Sequence, residues 1–554
     1  MVKCPVGQYP LPETVTGQAG NRAKFTIFYS IFTQDQKMEE NESFLIVMGV
    51  PSIKSFVFGT DKLKEIRGAS ALLDQMNRSD TKTELEKHLE GAYVKCVFAA
   101  GGAAHFIIQA PEDKIDSAMK KLEGYFATET GGGLRLIWGK SRLLKDDYYR
   151  SLKIANFESE KMRYDMPAEP CSSIHTGFIR ECDSCSGMAT PVDLPKDGER
   201  ILCDSCRKKT DFNFNAKSLE WERFSKFLRI QGVVATRPDN LQEIGDQCIS
   251  RKGYTALVYA DGNAMGHIIR EIKTADQFEF FSSIVDHAIR SACHESLYEV
   301  FFENQQQQSD IIPADILLLG GDDLVVYLSA DAALPFAVSV AERFTDITKK
   351  KFADNAFFSN LLGEGGMTIS LGIAYGKSKT PIFNLLNQAE ELLKSAKQSG
   401  SFDKQASGLF TPTYIDFHVT TNYNQLSIED CRAVHLQLGK KQGTPLKLYQ
   451  KPYSLNETKS LLHHAKILKD LIPSTRLKRL GNAPALGKMN GTLECLKIYT
   501  RTPKGEKRTA LQQALGQFGC FTNMPWKSHS ADCSGDDYCS TVLSDLIEVI
   551  DFLP

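Results

Sequence analysis

Two aspartates, Asp322 and Asp323, follow two glycines, Gly320 and Gly321, inside the apolar stretch ILLLGGDDLVVYL (316–328). Adjacent carboxylates at a tight turn repel one another, and a fold tolerates them where water solvates them or a cation neutralises them. A hard divalent ion, Mg²⁺ or Mn²⁺, takes oxygen ligands of this kind, shared with the phosphate oxygens of a substrate. Hairpin tips also carry Gly and Asp for purely conformational reasons, so the turn alone decides nothing. A third carboxylate comes from YTALVYADGNAMG, a strand that ends in Asp261 and passes through Gly262 and Asn263 into a helix. If that strand lies beside the hairpin, three carboxylates converge, as a two-metal site that holds a triphosphate and activates a hydroxyl requires. Gly262 lets backbone approach a phosphate, and the amides that open the next helix donate to it. Lys397, in AEELLKSAKQSG, stands near a helix end where its ammonium reaches terminal phosphates; a solvated surface lysine is the plainer alternative.

A near twin of the hairpin, CVFAAGGAAHFII (96–108), has the same layout around Gly101 and Gly102, with Ala103 and Ala104 in place of the aspartates. A separate chemistry is written in Cys182, Cys185, Cys203 and Cys206, two CDSC knuckles with 17 residues between them. Each knuckle presents two sulfurs, and two knuckles complete the tetrahedral thiolate shell of a structural Zn²⁺ with no vertex left for substrate. A redox-active CxxC pair is the competing reading; Cys171 is a spare ligand or a buried thiol.

The elements that must position these residues repeat. FLIVMGV (44–50) reads as a strand, DKLKEIRGASALLDQM (61–76) as a helix, and the Gly101–Gly102 hairpin is followed by a helix from about Pro111 and a strand LRLIWG (134–139). Later, YTALVYA (254–260) is a strand, Phe278 to Phe302 a helix, and the Gly320–Asp323 turn a hairpin. A helix over LPFAVSVAERFTDITKKKF follows, then a strand MTISLGIAYG (367–376) and a helix over FNLLNQAEELLKSAKQSG ended by Gly400. Both halves follow a βαββαβ order, which predicts an α+β protein with two ferredoxin-like palms. The expected division is a first palm over 1–159, a zinc-binding insert over 160–225, a second palm over 226–425 and a helical domain over 426–554.

With 554 residues, 42% hydrophobic and 24% charged, and a formal net charge of -2, the chain is neither polyelectrolyte nor disordered. Nucleic-acid contact must come from local patches. One candidate is 431–510, with 17 Lys or Arg against 4 Asp or Glu, whereas 511–554 has 1 against 6; solvated helix faces and an acidic protein partner account for it equally well. No apolar run is long enough to cross a bilayer and the first residues lack signal-peptide regions, so a cytoplasmic protein without membrane contact is expected.

Gly320–Gly321–Asp322–Asp323–Leu324, the strand end ADGNAMG, the helix bearing Ala396–Lys397, the IDFHV stretch, two palms and a four-cysteine insert together resemble the large subunit of type III CRISPR effector complexes. GVPSIKSFVFGTDKLKEIRGASALL is similar to that family's opening, where a strand leads into a helix with a small-residue motif, here Gly68–Ala69–Ser70. The resemblance spans roughly 40–425. It implies a nucleotidyltransferase that joins ATP into cyclic oligoadenylate messengers when target RNA is bound, within a multisubunit ribonucleoprotein holding guide RNA. It makes Asp261, Asp322 and Asp323 metal ligands and places Gly262, Asn263, Gly320 and Gly321 along the phosphates. It gives the triphosphate to Lys397 and assigns the companion nucleotide to the first palm near Ser70 and Asp61. Asp61 leaves a second acceptor open, S-adenosylmethionine, although an acid stabilising the dipole of its own helix is the simpler account. About forty residues precede the first strand, without the paired His and Asp of the family's nuclease domain, so DNA cleavage is not expected. A non-catalytic scaffold for RNA and protein is the competing class, and a template-copying polymerase ranks behind it.

Overall fold

The structure is a computed structural model that describes residues 42–165, 180–189, 200–215, 219–303, 310–363, 365–407, 411–420, 426–439, 444–521, 525–529 and 537–554. Residues 43–554 form one compact unit. The first palm contains β1 (Phe44–Gly49), a short helix α1 (Ile53–Phe58), α2 (Leu63–Gln75), β2 (Tyr93–Ala100), β3 (Ala103–Gln109), α3 (Glu112–Glu129) and β4 (Ile137–Arg142). Its sheet runs β2-β3-β1-β4. A helix α4 (Tyr148–Asp165) leads to the cysteine-bearing insert, which includes α5 (Asp204–Asn215), and α6 (Leu219–Ile230) leads out of it.

The second palm repeats the plan with β5 (Tyr254–Gly262), α7 (Met265–Glu271), α8 (Ala275–Tyr298), β6 (Ala314–Gly320), β7 (Asp323–Ser329), α9 (Ala330–Ala353), β8 (Ile369–Lys377) and α10 (Ile382–Ser407). Its strands lie in the equivalent order β6-β7-β5-β8, extended past β8 by β9 (Tyr414–Val419) and by Tyr453–Ser454. The two ferredoxin-like palms are therefore present, and the repeat reaches into the backbone. In each palm the residue before the helix that follows the first strand is a non-glycine in the left-handed region, Ser52 at φ 63° and Ala264 at φ 59°. Such a conformation is uncommon for residues with a Cβ, and its recurrence at one position in both halves is stronger evidence of a shared plan than strand order.

That correspondence shifts the twin hairpins by one residue. Ala100 pairs with Ala103 in the first palm and Gly320 with Asp323 in the second, so the two-residue turns are Gly101–Gly102 and Gly321–Asp322. Gly102 thus stands where Asp322 does and Ala103 where Asp323 does, a correction to the alignment of the two motifs by their glycines. The turns differ because both Gly101 and Gly102 have positive φ whereas in the second palm only Gly321 does, the type I′ and type II′ patterns of tight hairpins. Counting from Ser52 and Ala264, Gly49 occupies the place of Asp261.

Side chains alternate across the sheets as strand geometry requires, and both faces are covered. Leu45 and Val47 of β1 join Val258 and Val326 in one core, while Ile46 and Met48 join Leu257, Tyr259 and Val325 in the other. Each core draws on both palms. This double burial explains why the strands read as continuous apolar runs rather than alternating ones.

Three elements depart from expectation. The last strand of the first palm covers 137–142, not 134–139, because Lys140, Ser141 and Arg142 pair with β1 despite their polarity. Helix α10 passes through Gly400 to Ser407: a Cβ there would lie 2.9 Å from the Pro412 carbonyl oxygen, so the glycine admits the chain entering β9 instead of ending the helix. The C-terminal part is helical, with Leu455–Leu471, Ser474–Asn482, Lys488–Arg501, Glu506–Gln517 and Leu543–Phe552. It also holds a small four-stranded sheet of two- and three-residue strands around Leu446, Leu448, Trp526 and Cys539, too short to leave a periodic signal. No helix among the described residues is long and apolar enough to cross a membrane.

Candidate functional site

Ala260 pairs with Leu324 across β5 and β7, so one step further along β5 brings Asp261 level with Asp323 at the sheet edge. Asp322, at the turn, approaches from the side: a Cβ on Gly262 would lie 2.8 Å from its Oδ2, and Asp322 and Asp261 are close enough to share a hydrogen bond. Any side chain at 262 would press on that carboxylate. Asp323 meets the other two by charge. Burial, then the Asp261 charge, pushes Asp322 up to about 6, and the same causes with Asp322 push Asp323 up to about 7. Excess negative charge of this kind in a poorly solvated place is what a divalent cation relieves.

Lys397 is not a free surface lysine. Its ammonium is bonded to Asp261 Oδ2 and donates to the Gly262 carbonyl at 3.0 Å. Asn263 is buried, with its Nδ2 donating to Thr368 Oγ1 at 3.0 Å and to the Pro412 carbonyl at 3.5 Å, so its side chain fixes the strand end and only its neighbourhood faces the aspartates. Gly320 abuts the first palm: a Cβ on it would stand 3.2 Å from Gly101 N. The two hairpins therefore meet tip to tip.

The first-palm candidates lie elsewhere. Ser70 lines a small crevice with Arg67, Asp74, Glu220 and Arg237, without any of the three aspartates. Asp61 does not serve its own helix; its Oδ1 accepts the Ile382 N–H at 2.8 Å and so caps α10. The first palm contributes a residue that the sequence reading passed over. Lys54, on α1, pairs with Glu390 at 2.9 Å, lies 5.0 Å from the centroid of the Tyr259 ring and lowers the pKa of Asp323 through its charge. Its signal was positional: it is the basic residue just past the first strand of the palm that lost its acids.

Beside the turn, a cavity of about 450 Å³ opens at Gly321 and Asp322 between the palms. Phe98, His105, Ile269, Phe278 and Phe281 line it. The His105 ring lies 4.8 Å from that of Phe278, and its Nδ1 meets the Tyr148 hydroxyl at 3.0 Å. Burial pulls His105 down to about 4, so it is neutral at physiological pH. An aromatic-lined cleft of this volume accommodates a nucleobase.

Residues 254–406 match the family model described as Cas10/Cmr2, second palm domain. The chain carries a Cas10-type palm. Solved structures agree on the fold. Csm1 of T. onnurineus has a TM-score of 0.51 at 15% identity, over 87% of this chain and 64% of Csm1. A Csm1–Csm4 cassette in complex with cA3 has a TM-score of 0.54 at 13% identity, over 94% of this chain and 70% of the other. A cassette in complex with one ATP has 0.52 at 13%, over 94% and 71%. The chain thus spans about two thirds of the length of the Csm1 chains it resembles. No curated protein matches it. The resemblance to the type III CRISPR large subunit that the motifs implied is borne out over the second palm, where the model match spans all three acids described above, and the solved structures bear out the fold.

The four cysteines gather as their spacing requires: the sulfurs of Cys182, Cys185, Cys203 and Cys206 all lie within 4.8 Å of one another. Cys185 and Cys203 are 3.7 Å apart, close to the roughly 3.8 Å edge of a tetrahedron with Zn–S bonds of about 2.3 Å. Cys203 N–H donates to Cys182 Sγ at 3.3 Å, and Ser186 turns the first knuckle at φ 57°. The set fits Zn²⁺. Cys171 lies outside the described residues. The knuckle is docked on the first palm through buried Glu65 of α2, which accepts from Thr60 Oγ1 at 2.8 Å, from Ser184 Oγ and from Arg200 Nη2 at 2.7 Å.

Proposed function

We propose that the second palm is a nucleotidyltransferase that joins the α-phosphate of ATP to a 3′-hydroxyl, releasing pyrophosphate, and that it serves a type III CRISPR effector answering to RNA. The observation that carries this reading is the contact of Asp261 with Asp322 beside Asp323 in a palm of Cas10 type. Asp261, Asp322 and Asp323 would hold Mg²⁺ or Mn²⁺, which when bound supplies positive charge against the phosphates and the departing pyrophosphate. Lys397 holds Asp261 in place through its ammonium, and its remaining donor capacity is available to a triphosphate at the same edge. The left-handed residue Ala264 opens α7 beside Gly262 without a side-chain cap on its first amides, a helix start suited to a phosphate. The aromatic cavity that opens at Asp322 supports a purine as the base.

The first palm, with Gly49, Gly102 and Ala103 in place of the three acids, is suited to hold a companion nucleotide without metal. A second ATP is the proposed acceptor, giving an oligoadenylate, and S-adenosylmethionine is its rival. Incubation of the purified chain, and of its ribonucleoprotein, with labelled ATP and Mg²⁺ tests the reading. A new phosphodiester product that falls by on the order of 10²-fold or more in Asp322→Ala and Asp323→Ala is expected; no product in either preparation leaves the scaffold. Mass spectrometry with and without S-adenosylmethionine identifies the acceptor.

A further inference from the structure

The turn that carries Asp322 is gripped from behind by a charged network that none of the motifs includes. Asp286 on α8 accepts the Gly321 N–H at 3.4 Å through Oδ1. Arg290, one helical turn later, donates Nη2 to the Leu319 carbonyl at 3.0 Å and Nε to Asp286 Oδ2 at 3.0 Å. Both flanks of the turn are thus tied to one face of α8. The remaining arm of the guanidinium, Nη1, is bonded to Glu220 Oε2. Glu220 opens α6, the helix that follows the four-cysteine insert, and its other oxygen meets His294 Nε2 at 3.0 Å. The first palm enters through Arg78, which donates to Asp286 at 2.9 Å and to Asp74 at 2.6 Å.

Arg290 and Glu220 have side chains only 12% and 15% exposed, so water cannot readily replace a lost partner. A guanidinium has five donors in a fixed plane, so removing the acceptor from one arm re-aims the other two. The arms that would move are the ones on Asp286 and on the Leu319 carbonyl, and the carboxylate at 322 moves with its turn.

We infer that Asp286 and Arg290 are positioning residues for Asp322, and that Glu220 transmits to them the placement of the helix leaving the insert. The inference rests on the reading of the second palm given above, but one arm of its test does not. In the full chain, hydrogen–deuterium exchange over 316–328 should rise at least about threefold in Glu220→Ala and in Asp286→Ala, which remove the acceptors, with Arg290→Lys as a milder variant should either fail to fold. The control Arg343→Gln removes the ion pairs to Glu295 on the same helix and to Glu299 just past its end, and should change nothing at the turn.

For product formation, kcat should fall about tenfold at an ATP KM within about twofold of wild type, while half-saturating Mn²⁺ rises. Glu220→Asp should recover part of the loss. Folded variants with wild-type exchange at 316–328 overturn the inference, as does a kcat loss that the control shares. A wild-type chain without product, in which the exchange changes still appear, instead removes the nucleotidyltransferase reading and leaves the network intact.

Discussion

The acids at the turn make opposite demands on folding and on chemistry, and pH separates the two. Asp322 and Asp323 titrate near 6 and 7 in the folded protein because burial and Asp261 oppose their ionisation, against about 4 when unfolded. Between those values the folded state binds more protons than the unfolded one, so in metal-free protein their contribution to stability is greatest below about pH 4 and is lost as pH rises through 6 to 7. Asp322→Asn should therefore stabilise metal-free protein at pH 8 by on the order of 1–2 kcal/mol and abolish product. Thermal melts with chelator at pH 5 and pH 8 check the sign: a wild type that melts higher at pH 8, with Asp322→Asn giving no gain, contradicts it. Divalent ions should reverse the trend, since they bind the ionised form. Gly262→Ala is a sharper test of geometry. The added methyl would sit 2.8 Å from Asp322 Oδ2 and 2.2 Å from Met265 Cε; the methionine can move, the carboxylate must. Product should fall at least about tenfold while the melting temperature shifts little.

At the scale of elements, what could be read from the sequence was what local periodicity and spacing encode. The strands and helices of both palms, the two knuckles and the Asp261–Asp322 approach follow from alternation, turn residues and the order of a ferredoxin-like sheet. What stayed hidden depends on partners far along the chain. Lys140, Ser141 and Arg142 look like loop residues until β1 is beside them, and Gly400 looks like a helix stop until β9 crosses it. Glu220 lies 70 residues from Arg290, and Asp61 lies 321 from Ile382. The buried triad of Arg67, Asp315 and Arg237 was hidden for the same reason. Arg67 Nε reaches Asp315 at 2.7 Å, Arg237 Nη2 reaches it at 2.7 Å, and Arg67 also donates to the Pro238 carbonyl. Asp315 is fully buried at the start of the strand that runs into the aspartate turn. Arg67→Ala leaves that charge half-paired and should cost about 3 kcal/mol in urea denaturation, whereas Lys64→Ala on the same helix, exposed and at 4.0 Å from its partner, should cost under about 0.5 kcal/mol. The insert is joined to this helix by Glu65, so stripping the cysteine site with a strong chelator should lower the melting temperature of the whole unit and not merely loosen the insert.

For the molecule as a whole, the two palms are not beads on a string. Both faces of each central sheet are covered by cores that contain residues of the other palm, and the hairpins meet at Gly101 and Gly320. A palm that has lost its acids would be free to erode if it only filled space, yet it presents Lys54 to Glu390 and Asp323 and supplies Phe98 and His105 to the shared cavity. Its place in the molecule is therefore physical on two counts, as half of each core and as one wall of the site. Residues 226–425 expressed alone should lose part of the cover over Leu257, Tyr259, Leu317 and Tyr327, which belong to a core shared with the first palm, and associate or melt without a cooperative transition. Residues 43–554 should unfold in one transition by both far-ultraviolet circular dichroism and tryptophan fluorescence. A second palm that is monomeric and melts cooperatively on its own would show that the shared cores are dispensable. Lys54→Ala then separates the two counts: the fold should hold, because Lys54 is half-exposed and its pair with Glu390 is of the weak surface kind, while Asp323 loses the cation that lowers its pKa. The pH at which product formation reaches half its maximum should consequently move upward in this variant, and an unmoved profile would leave the first palm with packing as its sole contribution.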